Sequence, residues 1–457
     1  MNRYPVAALG VVLTTATLNC NAQTKQNVLV IVADDLGKEV LSFYETPTAK
    51  KAKTPNLDKL AQQGVVFDNF WGSPLSAPVR AAMLTGRYGY HTGIVALDIT
   101  LPTSEQTIFN ALPEGYSNAL FGKWHLSRDN NFAPNYGIDY FAGFAVGGGV
   151  RDYYNWRLTL NNQTTLSTEY VTSKITNLAK EWIDGQDTPW FCWVAYNAPH
   201  TPYHVPPKNT YSQKKLKDSA EEMEKNPLPY YLAMVENLDY EIGRLLEGID
   251  DSTIVIFVGD NGTENNVLQS PYPSRHGKGT LYEAGVSVPM VVAGGGVKQS
   301  GTRRDALVTA VDIFPSVLEF AGATMPQYED GYSFVETIDG GDNGREYLFS
   351  EILNKRTGHM CAVSDGRYKI ITTKGEVTMM FDLESDPLEQ NNLLQNRLSP
   401  ELQNALNRLK GEMDRMEIPL VENAASPQNG PQNRVQNGGV RGNRPQQMNM
   451  NNTNRVR

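Results

Sequence analysis

Residues 27–33 (Asn-Val-Leu-Val-Ile-Val-Ala) form an apolar, largely β-branched run with no polar alternation. Such a run predicts a strand covered on both faces, the situation of a central strand in a parallel sheet. Residues 65–70, 118–121, 190–196, 253–258 and 288–293 show related apolar runs. Between them, residues 54–64, 168–185, 230–248 and 308–321 carry apolar positions at helical spacing, the first three of these stretches ending in glycine. Strand alternating with helix predicts an α/β fold built on a large doubly wound, mostly parallel sheet.

The rhythm changes after residue 323. Residues 345–371 alternate apolar and polar as antiparallel strands do, 381–393 are rich in turn formers, and 399–416 read as an amphipathic helix. A smaller C-terminal α+β subdomain over 341–423 follows, after a larger N-terminal α/β domain over 24–340. Residues 424–457, dominated by Asn, Gln, Gly, Pro and Arg, read as a disordered tail because they hold too little apolar surface to pack. Two further stretches read as loops: the Gly-, Tyr- and Asn-rich residues 139–162, and a polar excursion over 208–229.

The first 23 residues place Arg3 before the apolar run 6–13 and end in small or polar side chains, the layout of a secretory signal peptide. Two processing routes fit: cleavage after Ala22, or lipidation at Cys20. Either predicts export to the periplasm or cell surface. The apolar run is too short to span a bilayer, and no later segment reads as a membrane span. Beyond the signal only Cys192 and Cys361 remain; two buried free thiols are expected in preference to a disulfide. A formal charge of −9 argues against a nucleic-acid partner, while leaving room for a local basic pocket.

Chemistry gathers where the strands should end. Asp34 and Asp35 close the first run, and Asp260 and Asn261 close the fifth. Adjacent carboxylates at that edge are either solvated loop acids or the holders of a divalent cation. Together the four form an all-oxygen set, suiting Ca²⁺ or Mg²⁺ better than Zn²⁺. Lys123 and His125 alternate on a segment expected to be extended, so both would face one side. His200 follows the fourth run, and Lys278 sits between two glycines. Ser76 opens a helical stretch with Pro78 inside its first turn and Gly86 at its close; alone, it reads as a helix cap. Taken together, these residues predict a metal-dependent hydrolase of an anionic ester.

Ser76-x-Pro78-x-Arg80 followed by Leu84-Thr-Gly-Arg87 is similar to the signature of the type I sulfatases of the alkaline phosphatase superfamily, in their serine subtype. The similarity continues through Asp34-Asp35, Thr54-Pro-Asn-Leu-Asp58, Gly122-Lys-Trp-His-Leu126, Ala198-Pro-His200, Asp260-Asn-Gly262, Gly277-Lys-Gly-Thr-Leu-Tyr-Glu283, Tyr368-Lys369 and Asp382-Leu-x-x-Asp-Pro387, over residues 26 to 395. The resemblance implies an alkaline phosphatase-like fold, a formylglycine made from Ser76 by a maturase, and a sulfate ester as substrate. It implies Ca²⁺ held by Asp34, Asp35, Asp260 and Asn261, with Arg80 orienting residue 76. The hydrated aldehyde would be the nucleophile. Lys123 and Lys278 would offset charge on the sulfuryl group. His200, with or without Lys278, would protonate the leaving alcohol, and His125 would take the proton that lets sulfate depart.

Export and the polar loop suit a sulfated carbohydrate, with Arg151, Asp152, Arg275 and His276 as expected substrate contacts. His91 and His359 are expected to be structural. The chain departs from the family pattern at Ser127, where glycine is common, and at Ser287, where many members carry arginine. Two rival readings remain: a phosphate or phosphonate ester hydrolase using unmodified Ser76, and a silent glycan-binding protein.

Overall fold

The apolar runs become the middle of a ten-stranded sheet in the computed structural model, which describes residues 25–48, 50–323 and 330–421. Its strands are β1 (Val28–Ala33), β2 (Val65–Trp71), β3 (Ser117–Lys123), β4 (Tyr140–Phe144), β5 (Trp156–Leu160), β6 (Gln163–Ser167), β7 (Trp190–Ala195), β8 (Ile254–Gly259), β9 (Met290–Gly294) and β10 (Thr302–Thr309). Their order across the sheet is β10-β2-β9-β8-β1-β7-β3-β4-β5-β6. From β8 to β4 every neighbouring pair is parallel, whereas β9 runs against β8 and β2, and β5 against β4 and β6.

β1 explains the layering. Val28, Val30 and Val32 face the Ser76–Thr85 and Ile313–Phe320 helices, while Leu29, Ile31 and Ala33 face the helices Pro55–Gln63, Val171–Asp184 and Leu228–Leu246. All six side chains are sealed from solvent, each larger one contributing about 1.5–3 kcal/mol. The doubly wound expectation holds.

Two local expectations are corrected. The helix expected over 308–321 begins only at Ile313, after strand β10. As an edge strand, β10 sends Arg303 to Asp68 and Arg304 to the carbonyls of Thr337 and Ile338, so its polar residues are paired at the rim. Residues 139–162, read as loop, contain β4 and β5; Asn161, at φ 50°, turns the chain from β5 into β6.

The smaller sheet is antiparallel, in the order β11 (Leu348–Asn354), β12 (Gly358–Ser364), β13 (Tyr368–Thr373), β14 (Glu376–Asp382). Its Val363, Ile370 and Met380 share a core with Ala405 and Leu409 of the Pro400–Arg415 helix. Leu348, Ile352, Ala362, Ile371 and Phe381 instead pack with Trp71 of β2 and with Leu281 and Val286. Cys192 and Cys361 are free and buried. No helix among the described residues is long and apolar enough to cross a membrane. The expected signal peptide, with Cys20, and the expected tail over 424–457 lie outside the described residues.

Candidate active site

Five strands deliver the site to one sheet edge. Ala33 and Gly259 are register partners, so Asp34-Asp35 and Asp260-Asn261 leave β1 and β8 side by side. β3 ends on Lys123, β7 leads to His200, and β2 leads into the Ser76–Thr85 helix. Asp35 adopts φ 67°, a left-handed conformation uncommon for a residue with a side chain. It is held there by its own N–H, which donates to Asp260 Oδ1 (3.1 Å), and by Tyr231 Oη, which donates to its carbonyl (3.0 Å).

Ser76 is not the cap. Leu75 precedes the helix, and no side-chain cap bond forms; Gly86, at φ 70°, does close it. Ser76 Oγ lies 2.9 Å from Asp34 Oδ1 and 2.9 Å from Asn261 Oδ1. Orientation of Asn261 is fixed because its Nδ2 donates to Asp35 Oδ1 (2.7 Å) and to the Gly262 carbonyl (3.0 Å), which leaves the amide oxygen facing Ser76. One hydroxyl carries one proton and cannot serve two acceptors at once. Lone pairs therefore converge between Ser76, Asp34 and Asn261, an arrangement that suits a hard cation. Atoms of Asp34, Asp35 and His200 also come within 4.8 Å of one another. Asp260 takes part differently: its Oδ1 accepts from the N–H groups of Asp35 and Asn261, and its Oδ2 from Arg80.

Each of the three acids has its own cation. Arg80 Nη2 sits 2.9 Å from Asp260, Lys123 Nζ 2.5 Å from Asp34, and Lys278 Nζ 2.7 Å from Asp35. Arg80 also donates to the Lys123 carbonyl (3.1 Å), tying the Ser76–Thr85 helix to β3. Burial works to raise Asp34, but Lys123 and His200 more than offset it and its carboxyl falls below the ordinary value. Burial, then the charge of Asp34, raises Asp260 despite Arg80. Burial also pulls Lys123 below the ordinary lysine value, Asp34 notwithstanding. Lys278 is opposite: burial lowers it, but Asp35, Asp34 and Glu264 together hold it above the ordinary value. Glu264, 3.1 Å from Lys278 Nζ, escaped the sequence reading, although an acid four residues past Asp260 was a signal.

His125 does not continue an extended segment; its φ is 64°. Its ring nevertheless reaches the cluster, where burial, then Lys123 and Arg80, press its pKa down to about 2. His200 Nε2 stands 3.8 Å from Asp35, and its Nδ1 lies 2.7 Å from the Thr201 carbonyl, which fixes the proton there and turns Nε2 to the site. Gly148 and Gly149 press against both histidines: a Cβ on Gly148 would fall 3.2 Å from the His125 ring, and one on Gly149 3.2 Å from His200 Nδ1. The same loop carries Arg151 and Asp152, both exposed.

The structure separates the remaining candidates. Arg275 is exposed, and His276 stacks on Tyr282 at 3.6 Å, close to the Leu388 backbone and Lys369. His276 thus faces the small sheet. His91 pairs with Asp330 (2.7 Å), and His359 with Glu351 (2.8 Å). Ser127 bonds locally to Asp129, and Ser287 Oγ accepts from Lys38 Nζ at 2.8 Å.

A sheet edge where one hydroxyl, three carboxylates and three fixed cations converge is the site of an enzyme that handles an anion. Residues 26–323 match the sulfatase family model, and residues 275–417 the model for the C-terminal part of N-sulphoglucosamine sulphohydrolase. The chain belongs to the sulfatase family and is a sulfuric ester hydrolase by kinship. It is 29% identical over 427 residues to an ulvan-active sulfatase of Formosa agariphila, covering 86% of this chain and 81% of that one. The crystal structure of Ps i-CgsB in complex with k-i-k-neocarrahexaose matches with TM-score 0.74 and 26% identity over 86% of this chain and 93% of that one. A structure solved with its substrate D-glucosamine-2-N,6-O-disulfate shares the fold, at TM-score 0.71 and 22% identity over 86% of this chain and 98% of that one.

Proposed function

We propose that this sulfatase is exported and removes sulfate from a saccharide, with a nucleophile made from Ser76 and one divalent cation, Ca²⁺ or Mg²⁺. The observation that carries the chemistry is the convergence of Ser76 Oγ, Asp34 Oδ1 and Asn261 Oδ1 at 2.9 Å. Asp34, Asp35, Asp260 and Asn261 would hold the cation. When present, the cation and the hydrated aldehyde of residue 76 supply charge stabilisation and an activated oxygen nucleophile.

The chain's own residues do the rest. Arg80 holds Asp260 and β3 against the helix that carries Ser76. Lys123 and Lys278 present fixed positive charge to the sulfuryl oxygens. His200, with Nδ1–H committed to the Thr201 carbonyl, offers Nε2–H to the departing alcohol. His125, held neutral by burial and by the charges of Lys123 and Arg80, would take the proton from residue 76 only once a bound anionic sulfuryl group offsets those charges.

A saccharide is favoured because the family relatives include an ulvan-active sulfatase and a protein bound to an oligosaccharide. The exposed Arg151 and Asp152, two and three residues past Gly149, would meet sugar hydroxyls or a second anionic group. Export rests on residues 1–23, with the product either soluble in the periplasm or anchored through Cys20. Cell fractionation with mass analysis of the mature N-terminus separates these two fates.

The deciding experiment is co-expression with a serine-type maturase. The Ser76 peptide should lose two hydrogens in mass, and the protein should release sulfate from a panel of sulfated mono- and oligosaccharides. An unmodified Ser76 with faster phosphate than sulfate release on matched aryl esters would overturn the assignment. Choline sulfate or a simple aryl sulfate as the preferred substrate would remove the saccharide reading alone.

A further inference from the structure

The two segments that bring the nucleophile and Lys278 into the site share one neighbour outside it. Trp71 ends β2, five residues before Ser76, and Glu283 opens a short helix five residues after Lys278. Trp71 Nε1 donates to Glu283 Oε2 at 3.3 Å. Beneath both lies Lys369 of β13, completely buried. Its ammonium is 2.9 Å from Glu283 and 2.8 Å from Glu389, and 4.7 Å from the centroid of the Trp71 ring. Glu389 in turn accepts from the backbone N–H of Glu283. Leu75, adjacent to Ser76, and Leu281 and Tyr282, just past Lys278, pack in the same apolar cluster as Ile371 and Phe381 of the small sheet.

A buried ammonium with two carboxylates and an aromatic face leaves little freedom to any partner, because releasing one strands a charge away from water. Burial lowers Lys369, but Glu283 and Glu389 return it above the ordinary lysine value, so the charge is permanent. The backbone between these anchors reaches the chemistry directly: Gly279 N–H donates to the Pro74 carbonyl at 2.9 Å, joining the Lys278 segment to the Ser76 segment.

We propose that Lys369 is a positioning residue for sulfate-ester hydrolysis: it touches no reacting atom, and it clamps the Trp71–Ser76 and Lys278–Glu283 segments at the spacing the reaction needs. The small sheet is then part of the catalytic apparatus rather than an appendage. The turnover consequence rests on the function proposed above; the clamp itself does not.

The test uses the full chain, with turnover normalised to modified Ser76. Lys369→Met should speed amide exchange in peptides spanning 72–76 and 277–283 by about tenfold, while β1, β7 and β8 peptides keep wild-type protection. It should lower kcat on an aryl sulfate by about 10²-fold, as a small misplacement of a reacting group does, with KM little changed. Lys369→Arg, which retains the cation, should recover part of both. Replacing all three charges (Lys369→Met, Glu283→Gln, Glu389→Gln) should restore the thermal midpoint without restoring kcat. Unchanged exchange in the two segments would overturn the clamp, whether or not the protein proves to be active. Full turnover in the uncharged triple variant would reduce Lys369 to a balancer of buried charge. Should Lys369→Met not fold, Lys369→Arg and the triple variant decide by the same readouts.

Discussion

Lys278 can be a proton donor or a fixed charge, and leaving-group chemistry separates the two. Its Nζ is 2.7 Å from Asp35 and 3.1 Å from Glu264, with 13% of the side chain exposed, and the surrounding acids hold its pKa above the ordinary value. Such a lysine keeps its proton at neutral pH. Lys278→Met keeps the stem and deletes the charge. One unit charge roughly 4 Å from another in surroundings of effective dielectric ~20 is worth about 4 kcal/mol. Removing a comparable stabiliser of a developing anion costs about 2.7–4 kcal/mol, or ~10²–10³ in kcat. That loss should be the same for a nitrophenyl sulfate, whose leaving group needs no proton, and for an alkyl sugar sulfate, whose leaving group does. His200→Asn should behave differently, sparing the nitrophenyl ester and costing about 10²–10⁴ on the sugar ester. Steady-state kcat/KM for both esters in both variants, at fixed salt and cation, is the assay. If Lys278→Met harms only the poor leaving group, Lys278 is the acid and the assignment of charge stabilisation is wrong.

Three further outcomes follow from the geometry. Chelation of the divalent cation should abolish turnover and lower the thermal midpoint, since a cation at 100 times its Kd stabilises by about 2.7 kcal/mol; equal melting curves with and without chelator would count against the cation site. Asp239→Ala should cost about 1.5–3 kcal/mol, read by urea unfolding, because Asp239 accepts from the N–H groups of Leu57 (2.7 Å) and Asn56 (3.2 Å) and so ties the Pro55–Gln63 helix to Leu228–Leu246; an unchanged midpoint would refute it. His204 packs against Tyr153 with ring centroids 4.1 Å apart and is pushed down to about 4 by burial. The unfolded chain therefore protonates first, so this contribution is complete above pH ~6.5 and is lost as pH falls towards 4, by at most ~1.4 kcal/mol per pH unit. His204→Gln should lose less stability than wild type between pH 7 and 4.5, and equal losses would refute the link.

The central sheet was readable from the chain because strands covered on both faces must be apolar throughout, as in β1, β7 and β8. β10 and the β5–β6 hairpin were missed because rim strands keep polar side chains, such as Arg303 and Arg304, in solvent or in ion pairs. Strand ends announced Asp34, Asp260 and Lys123, since a charged residue directly after an apolar run must lie at the edge. Nothing local announces the left-handed backbone of Asp35 and His125, which tertiary contacts impose. The redirection of Ser76 from cap to carboxylate was equally hidden, as was the meeting of Lys369 with Glu283 and Trp71, because these contacts join distant segments.

Ser76 is only 2% exposed, beneath Asp34 and Asn261. A residue so enclosed is closed to a second protein. An enzyme that alters this side chain, as proposed above, would therefore have to act before β8 docks beside β1. Active yield would then be set by the relative rates of modification and collapse during synthesis and export, and slowing folding would raise the active fraction, while treating the finished protein would not.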